Sequence, residues 1–349
     1  MSWSKLLRWE GARRYLDAST LPLGKGFLDQ PIGEVEMKQT TDHHRWPKPA
    51  RFRYGRWLLC CLALLGLIEF NTAASEKYPA QLTDQYARMI VLPKEPRRIV
   101  SASPGNTEIL YELGLGSRIV GVTDWCDYPP AARRKKRIGN ITPLNVERIL
   151  ALRPDLVVAD ILNGVDGVRG LERFRVPVLA LKPDSLEKLF EAIRLCGRAT
   201  GTEPSAEALV ARMRATVAGV ERQGRAIRSK RLKVLVILGA EVKGAPIWSP
   251  GPGSFLDQVV RLAGGFNLFA DLRSPWGQVS YEAILKRNPD VILTDLEPDR
   301  LYRDPAFNQL SAGQKRQIYR IDLDIYSRPG PRLVASLPEL TTLLEKSRP

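Results

Sequence analysis

Part of this chain occurs twice. Residues Asn145–Asp160 read NVERILALRPDLVVAD and, 135 positions later, Ser280–Asp295 read SYEAILKRNPDVILTD, aligned without a gap. Glu147, Ile149, Leu150, Pro154, Asp155 and Asp160 recur as Glu282, Ile284, Leu285, Pro289, Asp290 and Asp295. In each copy a capping residue, Asn145 or Ser280, precedes a short run with helical apolar spacing. Pro-Asp then breaks the helix, and a run of Leu, Val and Ile reads as a buried strand. The pattern predicts a helix-turn-strand unit used once in each of two similar lobes. A solenoid would recur every ~20–50 residues, far more often than this. Between similar lobes a cleft is expected.

The first 74 residues do not read as fold. Trp57 to Ile68 is an apolar run preceded by Arg51, Arg53 and Arg56 and followed by the small residues Thr72, Ala73 and Ala74. It is short for a bilayer core of about 30 Å, and Glu69 ends it, so a secretory signal cleaved near Ala74 is expected, giving periplasmic export. Met37 is a more ordinary start than Met1 for such a signal. Cys60 and Cys61 lie at the start of the apolar run, so lipidation is not expected.

Without the leader the chain keeps 42 basic against 31 acidic side chains, a net charge of +11. That balance suits a merely soluble basic surface or the steering of an anionic ligand, while export argues against a nucleic-acid partner. Both histidines, His43 and His44, lie in the leader, which removes Ser-His-Asp triads, histidine general bases and histidine zinc sites from the remainder. Cys126 and Cys196 stay behind, read as two buried or half-buried thiols in preference to a bridge. No metal site and no resident cofactor is expected, and the Gly251-Pro252-Gly253 stretch reads as a turn rather than a phosphate cradle.

Strand and helix signals alternate over Arg97 to Thr202: strands at Ile99–Ala102, Ile119–Val122, Leu156–Ala159 and Val178–Leu181, with a helix from about Asn106. They resume after Arg231, with strands at Leu232–Leu238, Val291–Thr294 and Ile318–Ile321 and a helix from about Ser254. This predicts an α/β fold of two similar lobes, each a mostly parallel sheet covered on both faces. Ser103-Pro104-Gly105 and Ser249-Pro250-Gly251 are each expected to open a helix. Over Glu203 to Arg228, Ala206, Leu209, Val210, Met213, Val217, Val220 and Ile227 recur at helical steps, predicting one amphipathic strut about 38 Å long. The domain reading is therefore a leader at 1–74, an N-terminal lobe at 75–202, a connecting helix at 203–230 and a C-terminal lobe at 231–349.

These motifs carry a resemblance. SPGNTEILYELGLGSRIVGVTDWCDYPP, NVERILALRPDLVVA, SPWGQVSYEAIL and LDIYSRPGPRL are similar, in the same order, to the cobalamin-binding branch of the helical-backbone (class III) substrate-binding proteins of ABC importers. The resemblance implies a receptor without enzymatic activity, monomeric, that captures cobalamin or a related corrinoid between its lobes. It would deliver the ligand to a permease dimer with its ATPase subunits. Trp125, Trp276 and Trp248 (or Ile247) match aromatic residues of the family's cleft, and Asp324 and Arg328 match a polar pair there. Glu147 and Glu282 match the two acidic residues that dock on permease arginines. Each position also has a plainer reading: helix-start carboxylates, tryptophan lids on a core, and an ordinary ion pair. Ile141 and Asp160 stand where the cobalamin branch has tryptophans, which leaves open a truncated corrinoid, a ferric siderophore or haem. Tyr326 and Tyr128 are the candidate phenolates for ferric iron, Tyr128 the more structural of the two. An α/β enzyme and a ligand sensor that docks on a receptor are the rival classes.

Overall fold

The two copies of the repeat fold alike, down to their hydrogen bonds. In the computed structural model, which describes residues 77–226, 231–238 and 247–348, the helix Val146–Ala151 is followed by a strand at Leu156–Asp160, and the helix Tyr281–Arg287 by one at Val291–Thr294. Asn145 Oδ1 accepts from Arg148 N at 2.9 Å, and Ser280 Oγ from Ala283 N at 3.1 Å, so each cap residue satisfies a free helix N–H. The helices unwind through the equivalent left-handed residues Arg153 and Asn288, with φ of 46° and 47°. Asp155 and Asp290 then accept at 2.8 Å from Arg98 N, just ahead of a neighbouring strand, and from Lys233 N, within one. Those same residues reach back to the end of the helix, Arg98 Nη2 to Leu152 O and Lys233 Nζ to Arg287 O. The repeated aspartate thus ties the helix exit to the start of an interior strand in both lobes.

Strands β1 (Ala80–Thr83) and β2 (Met89–Leu92) form an antiparallel hairpin. Strands β3 (Ile99–Ser101), β4 (Ile119–Val122), β5 (Lys136–Arg137), β6 (Leu156–Asp160) and β7 (Val178–Leu181) make a parallel sheet ordered β5-β4-β3-β6-β7. In the second lobe β8 (Leu232–Ile237), β10 (Gly265–Asn267), β12 (Val291–Thr294) and β13 (Ile318–Arg320) form a parallel sheet ordered β10-β8-β12-β13. Beside it, β9 (Ile247–Pro250) and β11 (Trp276–Val279) pair as an antiparallel ribbon. The fold is therefore two lobes with mostly parallel sheets, joined by one long helix.

Alternation along the strands shows why both faces are covered. Leu156 and Val158 enter one hydrophobic cluster while Val157 enters another, and Val234 and Val236 divide from Leu235 and Ile237 in the same way. The helix Glu203–Ala226, about 36 Å long, supplies Ala206, Leu209, Val210, Met213 and Val220 to the cluster that holds Leu156, Val158, Val234 and Val236. Both lobes thus share one core along the connecting helix.

One expected cap is displaced. Ser103 does open its helix, Pro104–Glu112, accepting from Asn106 N. Ser249 and Pro250 instead end β9, and Ser254 caps the helix Phe255–Leu262 by accepting from Asp257 N at 3.1 Å. The reason is pairing: Ser249 and Pro250 are matched with Gly277 and Trp276 of β11, and Gly251 N donates to Pro275 O at 2.8 Å, so the backbone is committed to the ribbon up to Gly251. The leader, and the expectations of a cleaved signal and of no lipidation, lie outside the described residues, as do Ile227 and Arg228.

Candidate functional site

In parallel α/β sheets, ligands gather beyond the carboxyl ends of the strands, because the chain leaves each strand there as a loop and helix N-termini point the same way. Here β3 runs into Ser103, β4 into the loop Thr123–Asp127, β6 ends at Asp160, β8 runs into Leu238 and β13 into Asp322.

The Thr123–Asp127 loop carries Trp125 and is held from behind. Arg137 Nη1 donates to Thr123 O at 2.7 Å and to Cys126 O at 3.0 Å, and Thr123 Oγ1 and Cys126 Sγ are 3.0 Å apart. Trp125 is half-buried, and its indole Nε1 is enclosed with no hydrogen-bond partner among the described residues. An enclosed donor without a partner is costly, which marks the position as one that a ligand or water would complete.

Trp248 and Trp276 lie on the β9–β11 ribbon. Trp276 pairs with Pro250 and Gln278 with Trp248, so the two tryptophans occupy diagonal positions on one face of the ribbon. A bridge between Leu238 and Trp248 ties this ribbon to the carboxyl end of β8. Phe255 meets the Trp276 ring edge-on at 5.4 Å, and both tryptophans are half-buried against the shared core.

Asp324 and Arg328 come together, but in a setting that the sequence did not suggest. Arg328 is 1% exposed, and its Nη1 donates at 2.5 Å to Asp127 Oδ1 of the N-terminal lobe. Its Nη2 lies 3.0 Å from Asp324 Oδ1, close enough for ion pairing though not in hydrogen-bond geometry. Beside this pair, Arg332 Nη2 donates at 2.6 Å to Glu108 Oε1, and its guanidinium lies 3.9 Å from the centre of the Tyr128 ring. Two arginines of the segment after β13 therefore reach two carboxylates of the first lobe. The backbones also close up: a Cβ on Gly105 would sit 2.6 Å from Pro329 O. Burial draws the Asp127 carboxyl upward, but the hydrogen bond and charge of Arg328 together outweigh it and hold it below the ordinary range. For Glu108, burial wins over Arg332 and the carboxyl is raised.

Asp127, Glu108, Arg332 and Arg137 were not found by sequence reasoning. Glu108 did leave a signal, as a carboxylate in an otherwise small and apolar helix start (SPGNTEIL). Asp160 is half-buried; burial pushes its carboxyl up to about 6 despite hydrogen bonds from Ser103 and the Leu162 N–H. Ile141 lies wholly in the core. Tyr326 is buried, with its hydroxyl directed at Ser336 O and its pKa raised by burial, so it is not presented as a phenolate. Cys126 and Cys196 are both free and buried, and burial pushes the Cys196 thiol up to about 12. Among the described residues no cluster of His, Cys, Asp and Glu is arranged to hold a metal ion.

Glu147 and Glu282 are both exposed and occupy the same place in the first turn of the repeated helices. Hydrogen bonds from its own N–H and from Ser280 hold the Glu282 carboxyl below its usual value.

Against known proteins, residues 99–324 match the model of the periplasmic binding protein family. An uncharacterized ABC transporter substrate-binding lipoprotein of Bacillus subtilis is 30% identical over 305 residues, covering 82% of this chain and 96% of the relative. Among solved structures, the periplasmic vitamin B12 binding protein of Vibrio cholerae is 27% identical with a TM-score of 0.64, covering 72% of this chain and 98% of its own. The periplasmic heme-binding protein of Roseiflexus shows the same identity and coverage with a TM-score of 0.66.

Proposed function

Since the chain belongs to the periplasmic binding protein family, as a substrate-binding protein of an ABC transporter, we propose that it is exported to the periplasm and captures a corrinoid, cobalamin or a truncated form, between its two lobes. The observation that carries this reading is the placement of aromatic side chains at the carboxyl ends of both sheets: Trp125 with an uncompleted indole N–H on one lobe, Trp248 and Trp276 sharing a ribbon face on the other. Flat aromatic faces supply large apolar area to a macrocycle, and a few polar groups fix its orientation. Asp324, only partly buried, serves as the polar anchor of the second lobe, and Arg328, enclosed behind it, orients its carboxylate. The vitamin B12 binding protein of Vibrio cholerae supports the corrinoid, and the heme-binding protein of Roseiflexus supports haem as the second reading.

The receptor works as a monomer and without resident cofactor or catalysis. It docks its paired carboxylates Glu147 and Glu282 on a permease dimer whose ATPase subunits drive import. Two exposed carboxylates at equivalent helix starts suit a partner with pseudo-twofold symmetry. The test is the absorption spectrum and mass of whatever co-purifies with the exported protein, followed by calorimetry with cobalamin, cobinamide, haem and ferric hydroxamates. Binding of none of them would refute the ligand class.

A further inference from the structure

The hairpin of β1 and β2 belongs to neither parallel sheet, yet its connecting loop, residues 84–88, is fastened to the carboxyl end of β7, the edge strand of the first sheet. Gln85 N donates to Ala180 O at 3.3 Å, Lys182 N donates to Gln85 Oε1 at 2.7 Å, and Ala180 N donates to Asp84 Oδ2 at 3.3 Å. Asp84, 5% exposed, also accepts from Tyr86 N and Arg88 N through Oδ1 and from the Arg88 guanidinium through Oδ2. The loop is thereby held rigid at the end of the sheet where ligands gather.

Tyr86 stands in the middle of this loop and takes no part in bracing it. Among the described residues its side chain makes no hydrogen bond and no ring contact, so the fastening would survive without a phenol there. It is 39% exposed, yet burial raises its hydroxyl well above the usual tyrosine range. A side chain that water reaches while protein still crowds it lies in a concavity, not on a convex surface. After burial, the strongest influence on the hydroxyl is Asp160, ahead of Asp184 and of Asp84, two residues away in the same loop. The side chain is therefore directed back over β7 toward the end of β6, where Asp160 stands half-buried. With the strands ordered β4-β3-β6-β7, Trp125 beyond β4 and Tyr86 over β6 are separated by two strand spacings, about 10 Å, with Ser103 beyond β3 between them.

We infer that Tyr86 is a ligand-binding residue: it forms a second aromatic wall in the first lobe's half of the cleft, opposite Trp125, and holds the ligand between them. The ring supplies apolar area to a flat ligand, and the phenol O–H supplies a donor at its edge. This rests on the reading that the ligand lies between the lobes, and adds to it a contact carried by the N-terminal hairpin.

The test uses the whole exported protein, with cobinamide, haem and ferrioxamine as probes. For each probe that the parent binds, Tyr86→Ala should bind at least about fivefold more weakly, as expected for the loss of one large aromatic contact. Thiol protection separates contact with the probe from an effect on folding. Cys126 and Cys196 are buried, so Tyr86→Cys and, in a second protein, Val91→Cys on the outer face of β2 each add one accessible thiol to the parent's background. Saturating probe should slow bimane labelling of Tyr86→Cys at least about tenfold, since a seated ligand excludes the reagent, and should leave labelling of Val91→Cys unchanged. Parent affinity in Tyr86→Ala, or labelling of Tyr86→Cys that the probe does not slow, overturns the inference and leaves the ligand reading standing. A parent that binds none of the probes overturns the ligand reading, and the inference falls with it.

Discussion

Arg328 and Asp127, 201 positions apart in the chain, meet at 2.5 Å across the seam between the lobes. The guanidinium is almost wholly enclosed, and Asp324 stands on its other side. Truncating one partner of a buried pair strands the other charge, whereas replacing both with apolar groups is often neutral. Arg328→Met should therefore cost about 2–4 kcal/mol of folding stability, less than for a fully enclosed pair because Asp127 retains some exposure. Adding Asp127→Leu should restore part of it. Chemical denaturation of the two variants measures both effects, and a harmless Arg328→Met would show that the seam does not depend on this pair.

Asp160 makes stability depend on pH. Its carboxyl is raised from 3.8 to about 6 in the folded protein, mainly by burial. Between those values the folded protein keeps a proton that the unfolded chain has released, so stability falls as pH rises from about 4 to about 6 and is level above that. Asp160→Asn retains an oxygen for the Leu162 N–H and removes the titration. Its melting temperature should match the parent near pH 4 and exceed it increasingly up to about pH 6, by roughly 1–3 kcal/mol in stability. Parallel pH profiles for the two proteins would contradict this.

Ligand binding should change the overall shape little. Both lobes contribute to one hydrophobic cluster along a single continuous helix, and the seam is crossed by two arginine-carboxylate pairs. A hinge would have to part that core, so closure is limited to a few degrees or a small shear. Solution scattering should show nearly the same radius of gyration with and without ligand. A large compaction would contradict the shared core.

Much of this architecture was legible because it is local. The repeat, the caps Asn145, Ser280 and Ser103, strands such as Ile119–Val122 and Val178–Leu181, and the connecting helix all follow from spacing within a dozen or two residues. What went unseen is non-local or short. The ribbon of β9 and β11 joins segments on either side of a helix and of β10, and β5 is two residues inside a run of basic ones. The site shows the same division. Trp125, Trp276 and Glu282 stand in recognisable motifs, whereas Asp127, Glu108 and Arg332 acquire meaning only when the lobes meet, and an ion pair between distant residues leaves no periodic trace in sequence. Ser249-Pro250-Gly251 misled because its likeness to Ser103-Pro104-Gly105 is real, but non-local pairing with the β11 segment decides its conformation.

The repeated glutamates should matter to delivery and leave capture alone. Glu147→Ala with Glu282→Ala should keep ligand affinity, and stability within about 2 kcal/mol, because exposed helix-start charges contribute ~0.3–1 kcal/mol each. Uptake in cells that depend on this importer should fall, and the Lys pair should be worse than the Ala pair, since like charges would then face the permease. Normal uptake with the Lys pair would reduce both residues to helix capping.

Titration of a corrinoid into the intact exported protein and into the Trp125→Ala, Trp276→Ala double variant tests the account most directly. The parent should bind one corrinoid per chain with quenching of tryptophan fluorescence. Losing each large aromatic contact should cost roughly 1–3 kcal/mol, or about five- to a hundredfold in affinity. A folded double variant that binds the corrinoid as tightly as the parent would contradict a cleft built on these aromatics.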